Sequence, residues 1–234
     1  MLEVKNIRHS FGDFTAVDGV SFNVQAGEIV SIIGPNGAGK TTILNILAGV
    51  LLPTSGSVTI NGIDFFTFPE KAKKITSYIP EQPYLWGKLS GIEFLHFIRS
   101  VYGSSMTNDE IENNLSDFGI YGQRNHLIET YSHGIKQKLL FLTVPIINPN
   151  LILLDEPLVG LDPKAVIKVT SMLRHRASAG AAVLMSTHVL SFAEKLSERV
   201  LLIDNGKIIL HGRLADILEK DKKTLEELFL RETA

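Results

Sequence analysis

The stretch GEIVSIIGPNGAGKTTILNILAG, residues 27–49, decides the fold. Ile29 to Ile33 read as a buried strand, a glycine-rich turn follows, and a helix then begins with apolar positions at Ile43, Leu44 and Leu47. Gly49 supplies the stop. Inside this unit GPNGAGKT, residues 34–41, fits G-x-x-x-x-G-K-[ST] in its proper strand–loop–helix setting. Gly34, Pro35, Asn36, Gly37, Ala38 and Gly39 would form a loop that wraps phosphate oxygens with backbone N–H groups. The helix starting near Lys40, with Thr42 in its first turn, points its positive end at the same place. Lys40 can reach the β- and γ-phosphates of a nucleoside triphosphate such as ATP, and the Thr41 hydroxyl can ligate Mg²⁺.

A second site answers the first. In LILLDEP, apolar residues carry Asp155 and Glu156 to the carboxyl end of a buried strand, where open α/β sheets place ligands. Asp155 would hold the metal through its water shell, and Glu156 would polarise the attacking water. The competing reading makes both acids the cap of the next helix. The phosphate loop upstream favours the catalytic one.

Around these motifs, LEVKNI and VSFNV alternate as antiparallel strands with FGDF between them, while AAVLMSTH and RVLLIDNGKIIL supply further short apolar strands. Residues from about 84 to 145 read mainly as helix. Ser90-x-x-Glu93 and Thr107-x-x-Glu110 have capping-box spacing, the first opening a predicted apolar face of Leu95, Phe97, Ile98 and Val101. Asp162-Pro163 reads as an N-cap with proline at the first helical position, and Pro145 should kink or end its helix.

The bulk composition sets limits on function. A chain of 234 residues with 44% hydrophobic and 21% charged residues suits one elaborated α/β domain. A net charge of −2 and the lack of basic stripes argue against direct nucleic-acid binding. With no cysteine, disulfides and thiolate chemistry are excluded. MLEVKNIRHSFG carries no export-signal pattern, and LLFLTVPII and NLILLD are far shorter than the roughly 18–20 residues of a membrane span. His9, His96, His126, His175 and His211 share no metal-site spacing and read as surface or packing residues.

Taken in order, these motifs resemble the nucleotide-binding domain of ATP-binding cassette transporters over nearly the whole chain. The resemblance implies an α/β P-loop NTPase cassette filling residues 1–234 as one domain. Its parts would be a RecA-like mixed-sheet core, an N-terminal antiparallel β subdomain and a helical signature subdomain near residues 84–145. GPNGAGKT is similar to the family's Walker A, LILLDEP to its Walker B and GLDP, residues 160–163, to its D-loop. Phe11 stands where the family stacks an aromatic on adenine, with Val17 beside it among the cofactor-binding positions. His188, after a strand in MSTH, matches the switch histidine. YSHG, residues 131–134, lies where the family has LSGG, so Ser132 and Gly134 would contact ATP held by the opposite subunit.

The implied mechanism pairs two such domains head to tail, as a homodimer or heterodimer, over two ATP. Glu156 would serve as base, His188 would steady the γ-phosphate and water, and Lys40 would stabilise the transferred charge. Closing and opening would drive separate transmembrane permease subunits, placing the chain peripherally on the cytoplasmic face of the membrane. Two departures matter. SYIPEQP offers either Glu81 or Gln82 as the Q-loop ligand of the metal shell. His133 replaces the first signature glycine, either as a surface residue or as an added donor to the nucleotide. Leu158 and Val159 replace a small polar pair and read as packing. The tyrosine–serine signature and the Pro-Glu of the Q-loop resemble export-type members. An alternative is a non-transport cassette ATPase that regulates or remodels a protein or nucleic-acid complex, though no second cassette or long coiled coil is present.

Overall fold

The computed structural model describes residues 1–221 and 224–232. The chain opens with a hairpin, β1 (Leu2–Phe11) and β2 (Phe14–Val24), closed by the Phe11–Phe14 pair. β4 (Ser55–Ile60) pairs with the free edge of β1 and then with the short β5 (Ile63–Asp64), giving a four-stranded antiparallel sheet in the order β2-β1-β4-β5. Between β2 and β4 run β3 (Ile29–Ile33) and α1 (Lys40–Leu47), the unit on which the sequence reading turns.

The central sheet has six strands in the order β10-β9-β3-β8-β7-β6. Five are parallel: β3, β6 (Thr76–Ile79), β7 (Leu151–Asp155), β8 (Ala182–Ser186) and β9 (Arg199–Asp204). β10 (Lys207–Arg213) turns back antiparallel on β9. Layers on both faces explain why β3, β7 and β8 are buried throughout rather than alternating. Leu151 and Leu153 join the cluster shared with α1 and the antiparallel sheet. Ile152 and Leu154 join the one under α7 (Pro163–Ser178), where Val169, Leu173 and Ala177 pack. The two-residue period of a strand thus divides one apolar run between two cores. Short helices α2 (Pro69–Lys74) and α8 (Leu190–Leu196) precede β6 and β9. Helices α9 (Leu214–Asp221) and α10 (Leu225–Glu232) follow β10.

Between β6 and β7 the chain is helical, with α3 (Gly91–Tyr102), α4 (Asn108–Asp117), α5 (His133–Phe141) and α6 (Thr143–Ile147). Both predicted capping boxes form, Ser90 with Glu93 and Thr107 with Glu110. The predicted apolar face of α3 needs correction. Phe94 and Leu95 are the residues that bury, whereas Phe97 and Val101 stand exposed. Helical periodicity groups Phe94, Leu95 and Ile98 on one side, and all three pack in one cluster with Ile111, Leu115 and Tyr131. The helix after YSHG breaks at Leu142, between α5 and α6, because the ring of Pro145 cannot accommodate the Phe141 carbonyl of an unbroken helix.

Candidate functional site

The carboxyl ends of β3, β7 and β8 bring the phosphate loop, the acidic pair and the segment containing His188 to one edge of the sheet. They border a cleft of about 630 Å³ lined by Phe11, Phe14, Ala16, Gly34, Pro35, Asn36, Gly37, Gly39, Lys40, Thr41, Thr42, Glu81, Glu156, His188 and Phe229. That volume suits a small-molecule ligand of nucleotide size.

Gly39 shows why this loop requires glycine. Its φ is +104°, and a Cβ there would collide with the carbonyl oxygen of Ala16. α1 therefore starts directly from a left-handed residue, leaving its first N–H groups facing the cleft. The Lys40 ammonium donates to the carbonyl oxygens of Gly34 at 2.8 Å and Pro35 at 3.0 Å, folded over its own loop. Burial pulls its pKa below the ordinary lysine range, while the carboxylates of Glu156, Asp155 and Glu81 act in the opposite direction. Ala38 faces away: its side chain is in the core, and its N–H donates to the Pro35 carbonyl at 3.2 Å.

Asp155 is buried at the end of β7, where one carboxylate oxygen accepts from the Ser186 hydroxyl at 2.5 Å. Glu156 adopts a left-handed conformation, φ +47°, held by its own N–H donating to the Ser186 hydroxyl at 3.1 Å. A non-glycine residue in that region carries backbone strain of the kind that clusters at functional sites. No helix starts here, since α7 begins at Pro163 with Asp162 as its cap, so the helix-cap reading of Asp155 and Glu156 does not hold. The Glu156 carboxylate lies 2.8 Å from His188 Nδ1. The His188 ring is 60% exposed, open to a ligand in the cleft.

At the other end of the cleft, Phe11 and Phe14 flank the hairpin turn, 51% and 62% exposed, and present two aromatic rings where one was predicted. The FGDF spacing held that signal, because a two-residue turn puts its flanking residues side by side. Val17 is corrected. It is fully buried in the main core, and Ala16 takes the cleft position. Strand alternation sends Phe14 and Ala16 to one face of β2 and Val17 to the other. Of the two Q-loop candidates, Glu81 lines the cleft and Gln82 does not.

Ser132 and Gly134 lie outside this cleft. Ser132 caps α5, its hydroxyl accepting from the Ile135 N–H, and stays exposed. The His133 ring rests over Gly160, at φ +79°, where any Cβ would strike it. A Cβ on Gly134 would likewise strike the Gly160 carbonyl oxygen. Lys138 pairs with Asp162 at 2.5 Å, so the signature helix and the GLDP segment interlock within one chain. Leu158 packs into the core beneath α7, as expected, whereas Val159 is exposed.

Comparison with known proteins shows what the whole chain is similar to. The sequence model of the family described as ABC transporter matches residues 17–159. The ABC-type transporter ATP-binding protein EcsA of Bacillus subtilis (strain 168) is 32% identical over 238 residues, covering 100% of this chain and 96% of that protein. The lantibiotic transport ATP-binding protein SrtF of Streptococcus pyogenes is 34% identical over 232 residues, covering 98% and 96%. A solved structure of an ATP-binding subunit of an ABC transporter superposes with a TM-score of 0.92 at 31% identity, covering both chains completely.

Proposed function

The chain belongs to the ABC transporter family, and from that premise we propose that it hydrolyses ATP to drive export through separate transmembrane subunits. The observation that carries the hydrolytic reading is the meeting of Lys40, Glu156 and His188 on one cleft lined by the phosphate loop.

ATP would lay its base against Phe11 and Phe14, where aromatic stacking is favourable. Its phosphates would draw Lys40 away from the Gly34 and Pro35 carbonyls, exchanging two neutral acceptors for an anion. Glu156 takes a proton from water as the water oxygen attacks the γ-phosphorus and the bond to the ADP oxygen breaks. His188, 2.8 Å from that carboxylate, orients it and steadies the γ-phosphate. Thr41 and Glu81 on the cleft and Asp155 at the end of β7 are oxygen donors of the kind Mg²⁺ takes, and they would hold it where it would neutralise phosphate charge. Glu81 supplies the Q-loop ligand in this reading because it faces the cleft.

Ser132 and Gly134 sit away from their own cleft, so their phosphate contacts need a second cassette presenting them in trans. Two clefts closed over two ATP would open when the γ-phosphate bridge is lost. No helix among the described residues is long and apolar enough to cross a membrane, and in this reading coupling runs through a docked partner. Beside the Glu81 loop, Tyr84 is 85% exposed and the Trp86 ring meets exposed Phe97 edge-on, centroids 4.9 Å apart. Such an aromatic patch suits an apolar protein surface. Docked on such a partner, the chain would sit on the cytoplasmic side of the membrane. The export direction draws on SrtF, a lantibiotic transport protein, and on the YSHG and Pro-Glu departures.

The test combines two measurements. Glu156→Gln should keep ATP binding, lose turnover by about 10²-fold or more, and accumulate as an ATP-dependent dimer on gel filtration. Purification from membranes in mild detergent should carry an integral membrane subunit with the chain. Undiminished hydrolysis by Glu156→Gln would remove the proposed base, and a partnerless protein in every membrane preparation would remove the transport role.

A further inference from the structure

The last described helix lies outside the family-matched residues 17–159, yet it reaches the cleft. Leu225 and Leu228 of α10 are buried, and Leu225 shares a cluster with Ile33, Ala193 and Leu202. Ile33 directly precedes the first glycine of the phosphate loop. Ala193 belongs to α8, which starts two residues after His188. Phe229 packs against this same cluster and also lines the cleft. The start of α10 is pinned to α8, where the Leu225 N–H donates to the Glu194 carboxylate at 3.0 Å. It is closed by a reciprocal cap, the Thr224 N–H to Glu227 at 2.9 Å and the Glu227 N–H to the Thr224 hydroxyl at 3.2 Å.

We propose that Phe229 is a nucleotide-contacting residue and that α10 is therefore a nucleotide-responsive element of the chain. The inference rests on the nucleotide-site reading above and adds an aromatic wall from the opposite end of the sequence. A nucleotide that buries part of the Phe229 ring also restrains the helix that carries it. By linkage, whatever firmness the nucleotide gives α10, α10 returns as affinity. An uncharged ring adds apolar contact without reading phosphate charge, so ATP and ADP should benefit alike. Because α10 also braces α8, it connects the cleft to the element that follows His188.

The chain has one tryptophan, Trp86, which makes a direct test available. In Phe229→Trp combined with Trp86→Phe, titration with ADP or Mg-ATP should change emission from the introduced tryptophan, saturating with the midpoint found by calorimetry. Phe229→Ala should weaken both nucleotides by about three- to tenfold, with Phe229→Leu recovering part of the loss. In the unmodified chain, nucleotide should slow hydrogen exchange across residues 225–232. Silent emission and unchanged exchange beside full calorimetric binding would overturn the role of α10 and leave the nucleotide site standing. No calorimetric binding by the unmodified chain would overturn both.

Discussion

At the scale of single residues, the contact between His133 and Gly160 gives the signature departure its meaning. The histidine that stands where the family has glycine is exposed, in keeping with the surface reading, and does not line its own cleft; its ring also lies on the backbone of the GLDP segment. Gly160→Ala should therefore destabilise the chain by more than the ~1 kcal/mol expected for a left-handed glycine alone. His133→Gly in the same chain should remove the excess, and a double-mutant cycle by urea unfolding checks it. At the metal shell, Glu81→Ala should raise the Mg²⁺ concentration needed for half-maximal ATPase activity, and Gln82→Ala should leave it unchanged. Equal responses would remove the preference for Glu81. His133 was visible in the sequence as a departure, but its partner lies 27 positions away and no spacing rule links them.

At the scale of elements, the local signals read directly. Capping boxes, the Asp162-Pro163 start and the proline break after Phe141 each depend on neighbours within four residues, so the sequence contains the whole interaction. The face of α3 was misjudged because Phe94, Leu95, Phe97 and Ile98, interrupted only by His96, can be assigned to two helix faces, and only packing selects Phe94 over Phe97. Asp162 works twice, capping α7 through the Ala165 N–H at 2.9 Å and pairing with Lys138 of α5. Asp162→Ala should cost about 1 kcal/mol or somewhat more in urea unfolding. The Lys138 hydrogen bond, followed by the backbone bond from Ala165, holds the Asp162 carboxyl below its usual range. Its stabilising contribution is accordingly complete above the ordinary aspartate value and fades as pH falls through the lower, folded one. Wild type and Asp162→Ala should thus converge in stability toward acid.

At the scale of the whole molecule, nucleotide binding at the meeting of three strand ends and a hairpin should stabilise every layer that contributes to the cleft. At a hundredfold excess over Kd the gain is about 2.7 kcal/mol, which for a chain of this size raises Tm by roughly 5–10 °C. Thermal unfolding of Glu156→Gln with Mg-ATP should show that rise, and Lys40→Ala should show little of it. The sequence by itself determined the strand–loop–helix around GPNGAGKT, the acidic strand end and the helix caps. Each is a short pattern whose chemistry is complete within a few residues of backbone. Tertiary structure alone decided that Ala16 and not Val17 faces the cleft, that Glu81 rather than Gln82 does, that His133 lies on Gly160, and that Phe229 lines the same cleft. These depend on which way a side chain leaves a packed strand and on which distant segments share a core. Both are settled by burial and register across the molecule, not by any pattern along the chain.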